Sequence, residues 1–244
     1  YAIGFDGKKN YILDTQMILK NRPQTKIKKT TDVRLYEGHV RDLTIGLDVK
    51  HPGKFMGLTE TSEMLKQSVL SYIKNLEMTH LQLLPIFDFE GVEECGSNQA
   101  YNWGYNPSQY FCLEGWYATN PKDPYERLFS FQKVVEMAHQ LGLGICLDVV
   151  YNHVYQYKTF PFDDLVPGYF YRHDHTYQMT DASFCGNDIE TRRYMVRKFI
   201  IDHLVFVQTY FNVDGFRFDL MGLLDVDTMQ QIENTLPKID DDIL

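Results

Sequence analysis

The apolar positions of this chain fall into short continuous runs that alternate with longer stretches of helical spacing. Residues 33–37 (VRLYE) are β-prone and predict a first strand. Met64, Leu65, Val69, Tyr72, Ile73 and Leu76 recur near the 3.6-residue period and predict a helix over 62–77. Residues 81–87 (LQLLPIF) predict a second strand, with Pro85 near its end because proline cannot donate to a sheet ladder. Asp123, Pro124 and Glu126 read as a helix start: a cap, a proline in the first turn and a capping-box acid. Gly142 reads as the left-handed stop of that helix. Residues 143–150 (LGICLDVV) are apolar almost throughout, as a strand covered on both faces should be. A helix is predicted over 188–211, with Met195, Val196, Phe199, Ile200, Leu204 and Val207 on one side. Residues 213–220 (VDGFRFDL) predict a fourth strand, Asp227 with Gln230 a further helix start, and 239–244 the entry to another strand.

This order, βαβαβαβα, implies parallel strands joined by helical crossovers. A doubly wound sheet and a (β/α)8 barrel both fit. No G-x-G-x-x-G follows the first strand, which weighs against the nucleotide-binding sheet. Four units make the first half, strands 1–4, of a barrel that takes about 250 residues in all. Residues 32–244 are therefore assigned to an α/β domain. Residues 1–31, turn-rich and then basic at Lys26, Lys28 and Lys29, are assigned to the tail of an upstream domain and a linker. Two connections, 88–122 and 151–187, are too long for turns. Both leave the C-terminal ends of strands, where barrel enzymes keep their chemistry.

Composition narrows the partners. The 244 residues carry a formal net charge of −9, which disfavours nucleic acid. No apolar run is long enough to span a bilayer, so no membrane partner is expected. Seventeen tyrosines and sixteen phenylalanines suit sugar faces, but they also fill cores. Cys95, Cys112, Cys146 and Cys185 match neither a zinc pattern nor a disulfide scaffold, which leans towards a reducing compartment, and Cys146 reads as a buried thiol.

Candidate chemistry gathers at the predicted strand ends. Arg217 and Asp219 are two apart in a strand, so both side chains leave one face, opposite Phe216 and Phe218. An arginine beside an aspartate favours the charged carboxylate, and a charged carboxylate at a barrel rim can attack an anomeric carbon. A structural ion pair explains the same two residues about equally well. Asp148, Asn152 and His153 end the third strand; singly, each reads as a hydrogen-bonded structural residue. Residues 101–105 (YNWGY) place a glycine among rings that can reach a ligand face or simply pin the loop, Trp103 included. His173 and His175 flank Asp174, which falls short of a metal site. No metal is assigned.

In combination these residues resemble a known family. Residues 148–153 (DVVYNH) and 214–222 (DGFRFDLMG) look like the first and second signature regions of the α-amylase superfamily, glycoside hydrolase family 13. Residues 101–107 (YNWGYNP) are similar to the signature of its type I pullulanase subfamily, which carries Asp where this chain has Asn106. Segments 36–44, 79–89 and 186–200 share the resemblance, which extends from about residue 31 to the end. It implies that 1–31 ends an N-terminal β-sandwich domain. It implies a retaining hydrolase of α-1,6-glucosidic links in pullulan, glycogen or branched dextrins, with Asp219 as nucleophile and Arg217 orienting it. His153, Tyr105 and Trp103 would contact the sugar, and Asp148 and Asn152 would support them. The partner would be an α-glucan. No cofactor is required; calcium, held near Asn152 in some members, has no supporting pattern here. The family's catalytic acid, a Glu after strand five, would lie past residue 244, so the chain alone is expected to be inactive. An isoamylase-like debrancher, an α-amylase and a non-catalytic glucan-binding protein are the alternatives.

Overall fold

The computed structural model describes residues 11–27, 31–96 and 100–244. Four strands, β1 (Leu35–Gly38), β4 (His80–Leu83), β5 (Gly144–Val149) and β6 (Gly215–Phe218), form one parallel sheet in the order β1-β4-β5-β6. Two further strands, β2 (Thr61–Ser62) and β3 (Gln67–Ser68), make a small antiparallel ribbon. The helices are α1 (Thr15–Lys20), α2 (Val69–Asn75), α3 (Glu126–Gln140), α4 (Phe162–Leu165), α5 (Tyr194–Phe211) and α6 (Val226–Thr235). Consecutive sheet strands are joined through α2, α3 and α5, the parallel pattern expected of a partial barrel.

The two central strands, β4 and β5, are buried at every position: β5 is an almost continuous apolar run broken by Asp148, whereas β4 buries His80 and Gln82 beside its two leucines. β1 lies at the sheet edge, and Leu35 is 49% exposed. At the other edge, Leu244 N donates to Asp214 O at 2.9 Å and Leu244 O accepts from Phe216 N at 3.1 Å. That pair of bonds is parallel strand geometry, so residues 239–244 do lead into a strand-like approach beside β6.

The helices start and stop for local reasons, and several differ from expectation. The helix expected over 62–77 is only Val69–Asn75. Asp48 accepts from Ser62 Oγ at 2.5 Å, Glu63 N at 3.1 Å and Met64 N at 3.3 Å, which holds 62–64 in a hairpin. Ser68 caps α2 instead, accepting from Ser71 N. Glu126 does not close a capping box. It accepts from Thr119 N at 3.1 Å and Thr119 Oγ1 at 2.5 Å, tying α3 to the preceding loop. Gly142 stops α3 in the left-handed region, φ 71°, as expected. α5 begins at Tyr194, not near 188, because Asp188 is engaged upstream by Ala182 N and Ser183 N, both at 2.9 Å. On α5 the buried stripe is Val196, Ile200, Leu204, Val207 and Phe211; Met195, expected inside, is 49% exposed. α6 is capped by Asp225, which accepts from Thr228 N at 3.1 Å, while Asp227 is surface-exposed.

Of the segment assigned to a sandwich tail and linker, residues 1–10 and 28–30 lie outside the described residues. The described part carries α1 and docks on the outer helices. Ile18 is fully buried and its carbonyl accepts from Gln132 of α3 at 3.0 Å. Arg22 donates to Thr209 O and to Asn212 Oδ1, each at 2.6 Å. His139 of α3 lies between Thr25 O, 2.6 Å, and Asp214 Oδ2, 2.7 Å.

Candidate active site

The register of the sheet assembles the site. Asp148 on β5 and Arg217 on β6 are direct cross-strand partners, so their side chains stand side by side at the C-terminal end of the sheet. Arg217 Nη1 donates to Asp148 Oδ1 at 3.0 Å and Oδ2 at 2.9 Å, and to Asp219 Oδ1 at 2.9 Å. Asp219 lies one step beyond β6; its N–H extends the ladder to Val149 O at 2.9 Å. Leu220 then enters the left-handed region, φ 44°, so the chain turns away directly after Asp219. A non-glycine residue there costs about 1–2 kcal/mol, a strain typical of sites whose geometry is over-determined by their surroundings.

Asp219 has a second clamp. Asn152 Nδ2 donates to both Asp219 Oδ2 and Asp219 O, each at 3.0 Å. Asn152 Oδ1 meets His153 Nδ1 at 2.5 Å, and His153 Nε2 meets Tyr105 O at 3.0 Å. Tyr105 closes the ring by donating its hydroxyl to Asp148 Oδ2 at 2.6 Å. Six of the seven residues expected from the sequence are thus one hydrogen-bonded network. The seventh, Trp103, is 62% exposed and shares with Tyr101, Asn102, Tyr105 and Asn106 an open cleft of about 390 Å³. Asn152 has its carboxamide engaged by Asp219 and His153. Asp174 closes a local turn with Thr176 and Gln178.

Electrostatics follow from this packing. Burial pushes the Asp148 carboxyl above the usual carboxylate range, opposed by the Tyr105 hydroxyl and by Arg217. Burial works against the Arg217 charge, but its two carboxylate partners outweigh it and raise the guanidinium further, so Arg217 stays charged. Burial, then the bond to Asp148, pushes the Tyr105 phenol up, so it remains a donor. Burial holds His153 below the usual histidine range. Asp219 keeps 15% of its side chain accessible, with Arg217 on Oδ1 and Asn152 on Oδ2. Cys146, three residues before Val149 on β5, is a buried thiol pushed up to about 12 by burial.

The loops hold their residues by tertiary bonds. Gly104 has φ 94°, and a Cβ there would lie 2.7 Å from Pro85 O, so only glycine lets Tyr105 approach the end of β4. Tyr110 OH donates to Val150 O at 3.0 Å. Asn187 accepts from Val154 N at 3.0 Å and donates to Val154 O at 2.7 Å, fixing the segment that carries Asn152 and His153. Sequence reasoning missed Asn187, because a lone asparagine in a loop carries no periodic signal.

Comparison with known proteins agrees along the whole chain. No protein-family model matches it. It is 41% identical over 248 residues to a pullulanase of Bacillus subtilis strain 168, covering all of this chain and 34% of the relative. The pullulanase of Anoxybacillus sp. LM18-11 solved with maltotetraose superposes with a TM-score of 0.93 at 40% identity, covering all of this chain and 36% of that one. The pullulanase of Paenibacillus barengoltzii solved with maltohexaose and alpha-cyclodextrin superposes with a TM-score of 0.92 at 38% identity, covering all of this chain and 40% of that one. The chain therefore spans between about a third and two fifths of these three proteins. Among the described residues, no helix is long and apolar enough to cross a membrane.

Proposed function

The chain belongs to the pullulanase family, and on that premise we propose that it forms the nucleophile-bearing part of the barrel of a retaining hydrolase. The substrates would be α-1,6-glucosidic links in pullulan, glycogen or branched dextrins. The observation that carries this reading is the double clamp on Asp219. Arg217 and Asn152 fix both carboxylate oxygens, and part of the side chain stays accessible.

In this mechanism Asp219 attacks the anomeric carbon and forms a covalent glycosyl intermediate, which water then hydrolyses with retained configuration. Arg217 holds the attacking carboxylate in line. Asp148, buried and bonded by Tyr105, holds Arg217 in turn. His153 and the Tyr105 ring receive the sugar, and Trp103 extends that surface. Retaining hydrolysis needs a second carboxyl about 5 Å away to protonate the leaving oxygen. Asp148 is committed to Arg217 and Tyr105, so we assign the acid to the strand that Leu244 begins beside β6. Residues 1–31 are assigned to the end of a preceding β-sandwich domain.

The test is pullulan hydrolysis by the intact enzyme, read as reducing ends and as the anomer first released. Asp219→Asn should lose at least about 1,000-fold in kcat while still binding maltotetraose. Residues 1–244 alone should not hydrolyse pullulan. Comparable turnover by Asp219→Asn, or an inverted product, would sink the reading.

A further inference from the structure

The long connection from β4 to α3 delivers Tyr101, Trp103 and Tyr105 to the cleft, so its base must be held. Two antiparallel bridges, Phe87↔Leu113 and Phe89↔Pro107, close that base. Asp88 sits between them. Its N–H donates to Cys112 O at 3.0 Å, its carbonyl accepts from Ser108 N at 3.0 Å, and its carboxyl accepts from Ser108 Oγ. Glu114 is the opposite member. Its carboxyl accepts from Trp116 N at 2.7 Å and Phe89 N at 3.1 Å. Every one of these bonds joins the outgoing limb of the loop to the returning limb or tightens one limb's turn.

These two carboxyls are crowded and dry. One carboxylate oxygen from each of Asp88, Glu94 and Glu114 lies within 4.8 Å of the other two, and Asp88 and Glu114 are 7% and 1% exposed. Glu94 has its own cation: Arg127 reaches it at 2.9 and 3.1 Å and also holds Leu113 O and Pro121 O, each at 2.9 Å. Lys54 donates to Trp116 O at 2.5 Å and acts on Glu114 only through space. Among the described residues, no lysine or arginine bonds to Asp88 or Glu114. The other charged or titratable groups facing the pair are Glu90 and Tyr117. Two buried carboxyls this close cannot both ionise without a partner charge.

We propose that Asp88 and Glu114 keep at least one proton between them and act as a positioning pair that locks the base of the loop carrying Tyr105. This rests on the reading of the site as a glucan hydrolase. Burial first, then the charges of Glu94 and Glu90, puts Asp88 at about 7, against the opposing bond from Ser108 and the charge of Arg127. Burial and the charge of Asp88 push Glu114 well above the carboxylate range. As Asp88 loses its proton through neutral pH, the pair gains negative charge in a dry site beside Glu94 and Glu90, and the base of the loop loosens. Tyr105 and Trp103 touch substrate but do no bond chemistry, so loosening raises KM more than it lowers kcat.

The experiment measures kcat and KM of the intact enzyme on pullulan from about pH 5 to about pH 9 for the wild type, Asp88→Asn and Glu114→Gln. The wild-type KM should rise roughly 3- to 10-fold through the neutral range, and the amide variants, which cannot lose that proton, should flatten the rise. The same alkaline rise in all three proteins overturns the proposal. A wild type that does not hydrolyse pullulan refutes the hydrolase reading instead. In that case limited proteolysis of 88–122 decides the lock: cleavage that increases through neutral pH in the wild type, and not in Asp88→Asn, supports it. Cleavage indifferent to pH overturns it.

Discussion

Arg217 donates from a single nitrogen to both oxygens of Asp148 and to Asp219, so a fully buried aspartate sets the orientation of the more accessible one. The relation is mechanical as well as electrostatic: without Asp148, Arg217 would keep only Asp219 to hold its head group.

Asp148→Asn should therefore act on catalysis more than on substrate binding. The variant keeps the shape but removes the charge that anchors Arg217. The expected result in the intact enzyme is a fall in kcat of about 10- to 100-fold with KM changed by less than about 3-fold. Steady-state kinetics on pullulan check it. A fall confined to KM would show that Asp148 serves the sugar surface and not the Arg217–Asp219 pair.

Tyr105→Phe removes the hydroxyl that donates to Asp148 and leaves the ring. A buried carboxylate that loses a donor should cost about 1–3 kcal/mol of stability. Denaturant unfolding should show that loss, while the stacking surface and KM change little. Tyr105→Ala should raise KM as well.

Gly104→Ala tests the close approach of the loop to β4. A Cβ would meet Pro85 O at 2.7 Å with φ at 94°, so the backbone must move. We expect a stability loss of about 1–3 kcal/mol and a KM raised about 10-fold, because Tyr105 moves with its neighbour. Unchanged KM in a folded variant would show that the loop absorbs the shift elsewhere.

His139 gives a pH-dependent clamp at the opposite end of the sheet. Burial works against its charge, but Asp214, by hydrogen bond and by charge, and Thr25 O raise its pKa above the ordinary value. A raised histidine contributes stability that is complete below the unfolded pKa of about 6.5 and is lost as pH rises through the higher folded value. Melting temperatures of the wild type and His139→Gln should differ most below about pH 6.5 and converge at alkaline pH. A gap that widens with pH would contradict the charged clamp.

The amino-acid sequence by itself determined the succession of strands and helices and the residues at the strand ends. A parallel strand covered on both faces is mostly apolar, as β5 is apart from Asp148, and residues two apart in a strand must share a face, as Arg217 and Asp219 do. Gly142 stops α3 because only a left-handed residue can. Those are local constraints, carried by neighbours in the chain. Other outcomes were decided only by residues brought together in space. Asp48 captures the backbone of 62–64 and cancels a helical period. Glu126 turns to Thr119 and not to its own cap. Asp148 meets Arg217 across 69 residues through the register of β5 on β6. The shared burial of Asp88 and Glu114 is of the same kind. A hydrogen bond or a buried charge depends on what surrounds it, and for these groups the surroundings come from the far side of a crossover, where periodicity holds no information.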